Sequence, residues 1–188
     1  MGAAEREELA ALRPRILRYL TRLVGAPDAE DLVQTVLLRA TEGLRGFRHD
    51  SSLSTWVYRI ATNVAMDRLR AAPCPPQDDP VEAHVPSAEA TAIREQMNAC
   101  IREFVERLPR SQEVVLVLSE LEGFANAEIA AILGVSVASV KIRLHRARAR
   151  LRQALGAGCI LSHGLADELV CDRRGQPVSF SLPSASKG

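Results

Sequence analysis

Between Ser136 and Leu155 the chain carries six Lys/Arg and no Asp/Glu, a local charge of +6, while the whole protein of 188 residues carries a net +1. Projected at about 100° per residue, Val140, Leu144, Ala147 and Leu151 fall on one apolar stripe. Lys141, Arg148 and Arg152 flank that stripe on one side; Arg143, Arg146 and Arg150 flank it on the other. Between the two basic flanks, facing away from a core, stand Ala138, Ile142, His145 and Ala149. This layout suits a helix in the major groove, with cations reaching phosphates and small or neutral side chains towards base edges. A solvated basic face on an ordinary amphipathic helix is the plain alternative. The preceding residues favour the first: Ile129, Ile132 and Leu133 recur at helical spacing, Gly134 permits a tight turn, and Ser136 can cap the helix that follows. The pattern is a complete helix-turn-helix, with Ser136, Ala138, Ser139, Lys141, Ile142, Arg143, His145, Arg146 and Arg148 as the residues placed to touch DNA.

A second constellation lies upstream. Ser54 or Thr55 can start a helix running to about Arg70, on which Trp56, Asn63 and Asp67 align with Arg59 and Arg70 beside them. Val57, Ala61, Val64 and Ala65 take the core side. An aromatic ring, an amide, a carboxylate and cations on one face can stack on an unpaired base, bond its edge and hold its backbone. The competing reading has Trp56 packing at the domain's edge among solvated neighbours. A third face belongs to the helix expected over 29–44, after the break Gly25-Ala26-Pro27-Asp28, with Asp28 as N-cap. Val33, Val36, Leu37 and Ala40 form its buried side, and Asp31, Gln34, Thr35, Leu38 and Glu42 its polar side. Leu38 is apolar in the middle of that polar side, as a contact surface would need, although single exposed leucines are common.

These faces need a scaffold, and the rest of the chain reads as helical. Leu9, Leu12, Ile16, Leu20 and Leu23 mark an amphipathic helix over Glu5–Val24. Residues 72–90 hold five of the ten prolines, four carboxylates and no Lys or Arg, and read as an extended, flexible acidic linker. Helix resumes over Thr91–Leu108 with Ile93, Met97, Cys100, Ile101, Phe104, Val105 and Leu108 as its apolar face, Cys100 being a small core residue there. Pro109 ends it, Ser111 caps a short apolar helix to Leu121, and Glu122-Gly123 turns the chain into the helix-turn-helix. No strand signal occurs before residue 156, so the expected class is all-α. Two small helical domains, 5–71 and 91–155, are joined by the linker 72–90 and followed by an extension, 156–188. Apolar residues at 47% and charged residues at 25% are those of a folded soluble protein. The N-terminus lacks the apolar core of a signal peptide, and no run approaches the ~20 apolar residues of a membrane span. A cytoplasmic protein with reduced cysteines is expected. No Gly-rich phosphate loop and no Ser/His/Asp arrangement is present, so no enzyme and no cofactor is expected.

The order of these parts resembles the extracytoplasmic-function (ECF) group of the sigma-70 family of bacterial RNA polymerase initiation factors. The matching segments are DAEDLVQTVLLRA (28–40), STWVYRIATNVAMDRLR (54–70), LPRSQEVVLVLSELEGF (108–124) and NAEIAAILGVSVASVKIRLHRARARLR (126–152). The resemblance implies that 5–71 is a sigma region 2-like domain and 91–155 a region 4-like domain. Asp31, Leu32, Gln34, Thr35 and Leu38 would grip the clamp helices of the polymerase β′ subunit. Ser52, Ser54, Trp56, Arg59, Asn63, Asp67 and Arg70 would read and open the −10 element, and the helix from Val137 would read the −35 element. The acidic linker would thread the RNA exit path. Many family members keep small or polar residues where this chain has Ala138 and Ile142, so the resemblance implies the mode of −35 docking and not the sequence preferred. The implied partners are core RNA polymerase (β′ clamp helices and β flap) and promoter DNA, with an anti-sigma factor left open and no membrane. The mechanism implied is differential binding to the opened strand by two modest DNA readers brought into register on the polymerase.

The extension falls outside the resemblance. Cys159, His163 and Cys171 are spaced C-x3-H-x7-C, and thiolate and imidazole suit zinc or copper(I). Some members of this sigma group carry cysteine-bearing extensions used in metal sensing. Only three ligands are visible, with Cys74 of the linker a conceivable fourth; thiol oxidation, or a short helical or hairpin appendix without a sensing role, are the alternatives. The competing function is a stand-alone helix-turn-helix repressor, or a metal- or redox-sensing regulator, binding a palindromic operator as a dimer.

Overall fold

A computed structural model describes residues 3–71, 101–163 and 169–173, with side chains described over 5–71 and 101–157. By compactness the chain forms two units, Met1–Pro80 with Val114–Leu144, and Val81–Glu113 with His145–Gly188. The expected linker 72–90, with Cys74, and the start of the helix expected over 91–108, with Cys100, lie outside the described residues.

In the first unit, α1 (Ala3–Val24), α2 (Ala26–Gly43) and α3 (Leu53–Ala71) pack on one another. Their apolar stripes supply a dry centre of Ile16, Tyr19, Leu20, Val33, Val36, Val57 and Ala61, all fully buried. Burial of these stripes is the main force holding three helices that would be marginal alone. The hydroxyls of Thr62 and Tyr19, both drawn inside, are satisfied: Thr62 Oγ1 donates to the Tyr58 carbonyl at 2.7 Å, which leaves Tyr19 OH to donate to Thr62 Oγ1 at 2.8 Å.

Among these three helices, two starts differ from expectation. Asp28 does not cap α2. Gly25, at φ 85°, takes the left-handed turn, and Pro27 sits in the first turn where its missing N–H is harmless. Asp28 is thereby inside the helix and pairs with Arg68 at 3.0 Å. Nor do Ser54 or Thr55 open α3: Ser52 Oγ accepts the Thr55 N–H at 3.1 Å, and Thr55 is buried. After α2 a single 3-10 turn, Leu44–Gly46, leads into the loop before α3.

Residues 114–144, which include the turn of the helix-turn-helix, belong to the same unit. Helix α5 (Arg110–Leu116) widens into a π turn, Val117–Leu121, in which the Glu122 N–H bonds to Val117 O at 3.1 Å. Ser111 is not its cap; the Pro109 carbonyl accepts from Gln112 N at 2.7 Å and Glu113 N at 3.1 Å. Helices α6 (Asn126–Leu133) and α7 (Val137–Gly158) follow. Helix α6 packs on α3, and the Phe124 ring meets Tyr58 edge-on at 4.8 Å. The sequence divides the chain at the linker; in space, the residues 114–144 join the N-terminal helices.

In the second unit, Phe104 of α4 (residues 101–106) packs with Ala154, Leu151 and Leu155 of α7. Glu103 pairs with Arg107, and Glu113, with only 2% of its side chain exposed, pairs with Arg110 at 2.8 Å. Burial pushes the Glu113 carboxyl up to about 7, against the pull of Arg110. The extension forms an antiparallel hairpin, β1 (Cys159–His163) and β2 (Leu169–Arg173), with Cys159 opposite Arg173, Leu161 opposite Cys171 and His163 opposite Leu169. The metal or thiol chemistry expected of Cys159, His163 and Cys171 falls outside the described side chains.

Candidate nucleic-acid interface

Each surface expected to face DNA is built by a local device. Gly134, at φ 64°, stops α6 in the left-handed conformation that favours glycine, and its N–H closes on Ala130 O. Two residues later Ser136 Oγ accepts the Ser139 N–H at 3.1 Å and starts α7. Val140, Leu144 and Ala147 are buried, so rotation of the helix is fixed by packing. The opposite face then has to be outward. Ser136, Ala138, Lys141, Ile142, His145, Arg146, Arg148, Ala149 and Arg152 are exposed, and Ser139, Arg143, Leu151 and Arg150 are half-buried. Ile142 stands 52% exposed between Lys141 and Arg143.

On α3, Arg59, Asn63, Asp67 and Arg70 are exposed along one side, and Asp67 pairs with Arg70 at 3.2 Å. Ser52, at the helix start, is exposed and Ser54 half-buried. Trp56 is half-buried, because its indole lies over Gly43 and beside Phe47, the ring centroids 5.1 Å apart. Phe47 in turn meets the His49 ring at 4.5 Å, and His49 takes the left-handed backbone at φ 58°. These tilted ring contacts hold Phe47 and His49 of the loop against the start of α3. Trp56 therefore packs at the domain's edge and leaves part of its ring open.

Helix α2 shows the third surface: Asp31, Gln34 and Glu42 are exposed, Leu32 and Thr35 half-buried, and Leu38 is 60% exposed. Leu37, expected in the core, is half-buried.

A cluster that sequence reasoning did not single out lies between α3 and the turn before α6. The Glu122 side chain is only 4% exposed. Tyr58 OH donates to its Oε2 at 2.6 Å, and Arg22 Nη1 approaches Oε1 at 3.4 Å. Arg15 Nη2 lies 3.7 Å from Oε2, donates to the Glu122 carbonyl at 3.1 Å, and its guanidinium sits over the Tyr58 ring. Nearby, Thr55 Oγ1 donates to Glu128 Oε1 at 3.3 Å, while Glu128 Oε2 accepts the Ala125 N–H at 2.9 Å. Burial first, and the Glu122 carboxylate second, hold the Tyr58 phenol well above its ordinary range. A Glu-Gly pair reads as a solvated turn, so only the buried neighbours reveal this carboxylate.

Known proteins share the succession of the two helical regions. The sigma-70 region 2 family model matches residues 9–72 and the sigma-70 region 4 model residues 98–151. The ECF RNA polymerase sigma factor SigM of Mycobacterium tuberculosis is 38% identical over 152 residues, spanning 80% of this chain and 76% of its own. The ECF RNA polymerase sigma-E factor of Escherichia coli is 31% identical over 147 residues, covering 71% of this chain and 77% of its own. The sigma factor RpoE of Bartonella quintana, solved with the anti-sigma factor NepR, shares the fold at a TM-score of 0.64 and 23% identity, covering 79% of this chain and 94% of that one. This chain belongs to the ECF sigma factors of the sigma-70 family.

Proposed function

We propose that this sigma factor engages core RNA polymerase through the α2 face around Leu38, reads the −35 element with α7 and opens the −10 element on the α3 face. The observation that carries this is α7 itself. A capped helix is locked in rotation by its buried stripe, and its outward face offers cations around Ala138, Ile142 and His145 with no carboxylate between Ser136 and Leu155. The cations hold phosphates, and Ile142 and Ala138 meet apolar base edges such as a thymine methyl. On α3, Arg59 and Arg70 hold the separated strand, while Asn63 and Trp56 take a base from the stack. The unstacking is offset by contacts that exist only with the strand open. Core polymerase and promoter DNA are the partners, with an anti-sigma factor as a further one, and the cytoplasm is the compartment. Among the described residues, no helix is long and apolar enough to cross a membrane.

Run-off transcription from a genomic fragment library, with purified core polymerase and with or without this protein, tests the proposal. New transcripts sharing one −35/−10 spacing are expected. No protein-dependent transcript, alongside tight dimeric binding to a palindrome, would overturn it.

A further inference from the structure

The α3 face and the start of α7, proposed to read separated promoter elements, sit in one compact unit, which also holds an ionic cluster around the buried Glu122 carboxylate. The elements at −35 and −10 are separated by about 25 base pairs, or roughly 85 Å of straight duplex at ~3.4 Å per pair. The packed unit cannot reach so far. Packed helices lie ~8–10 Å apart, α6 rises ~1.5 Å per residue, and the turn to α7 extends at most ~3.6 Å per residue. Together these keep the start of α7 within about 40 Å of α3 while α6 stays docked. Reading both elements requires α6 to leave α3.

The contact that resists this departure is specific. Glu122 enters with its side chain 4% exposed and meets two guanidiniums and a phenol from α1 and α3. Such an anion is tolerated inside only while all its partners stay in place, so the cluster favours either full docking or full release. Phe124 against Tyr58 adds an apolar seal, and Glu128 with Thr55 adds a second polar tie. The α2 face is left free in this state, with Leu38 60% exposed. A polymerase contact there needs no prior opening.

We propose that Glu122 is the latch of a closed state of the free chain, and that promoter engagement requires its release from Arg15, Arg22 and Tyr58. This rests on the promoter reading above for the meaning of release, but the latch itself is measured without a promoter. Dyes placed by unnatural amino-acid incorporation at the exposed Ala11 and Ala131 report the distance between α1 and α6 by energy transfer. The full-length chain alone should show high transfer. Glu122→Arg, which sets three cations together, should lose most of it, and adding Arg15→Glu to that variant should restore it. Glu122→Gln, matched in shape, should give an intermediate loss, so that the latch remains testable if the arginine variant does not fold. Wild-type transfer should also fall when core polymerase and promoter DNA are added together.

Unchanged transfer in folded Glu122→Gln and Glu122→Arg would overturn the latch, as would high transfer persisting in a transcribing promoter complex. If the variants open but neither they nor the wild type support run-off transcription, the promoter reading fails and the latch stands.

Discussion

Replacing Arg146 with Ala tests whether α7 lies on DNA in the way its face suggests. Four of its cations are exposed: Lys141, Arg146, Arg148 and Arg152. If each neutralises one phosphate, the logarithm of the binding constant should fall with the logarithm of salt at a slope of about −3.6. Between ~50 and ~200 mM salt the wild type would then lose roughly 150-fold in affinity, and the Arg146→Ala chain roughly 40-fold. The half-buried Arg143 and Arg150 would steepen both curves equally. Fluorescence anisotropy of a labelled −35 duplex and an unrelated duplex, titrated with full-length protein across that salt range, gives the slopes. Because a phosphate contact carries no sequence information, Arg146→Ala should weaken the two duplexes in parallel. An unchanged slope, or a loss confined to the −35 duplex, would refute the assignment of Arg146 to the backbone and turn the exposed face of α7 away from the phosphates.

Two further outcomes are expected. Glu113 has its folded carboxyl raised from 4.5 to about 7, so between those values the folded chain holds a proton that the unfolded chain has lost. Stability from this group is therefore complete below pH 4.5 and declines as pH rises through about 7. At pH 8 the ionised form costs on the order of 3 kcal/mol, and Glu113→Gln should recover ~2–3 kcal/mol in urea melts there and little at pH 4. In the promoter-opening step, Trp56→Ala should spare core polymerase binding and reduce permanganate-detected melting. Gly43→Ala, whose Cβ would stand 3.0 Å from the indole, should show a smaller defect of the same kind.

The helices and their outward faces were legible in the sequence because each depends on one-dimensional signals. The stripe of Val140, Leu144 and Ala147 fixes which side of α7 is wet, and Gly134 and Ser136 mark the turn without reference to any other part of the chain. Helix starts were less legible, since several residues compete to cap. Asp28 lost to Gly25 and Pro27, and Ser54 and Thr55 lost to Ser52. The Glu122 cluster was not legible at all. Its partners Arg15, Arg22 and Tyr58 lie 64 to 107 residues away, and nothing local distinguishes a buried carboxylate in a turn from a solvated one.

The π turn at Val117–Leu121 bears on how this protein can change length. It spends one more residue per turn than the α-helix before it, as the bond from Glu122 N–H five residues back to Val117 O shows. A chain shortened by one residue there can close the same span as ordinary α-helix, with Glu122 and everything beyond it still in phase. A residue lost inside α7 has no such slack. Each later side chain would swing by about 100°, carrying arginines from the exposed side into the core and alanines out to take their place. Single-residue indels in descendants of this gene are thus expected to collect in the wide turn and to be absent from α7.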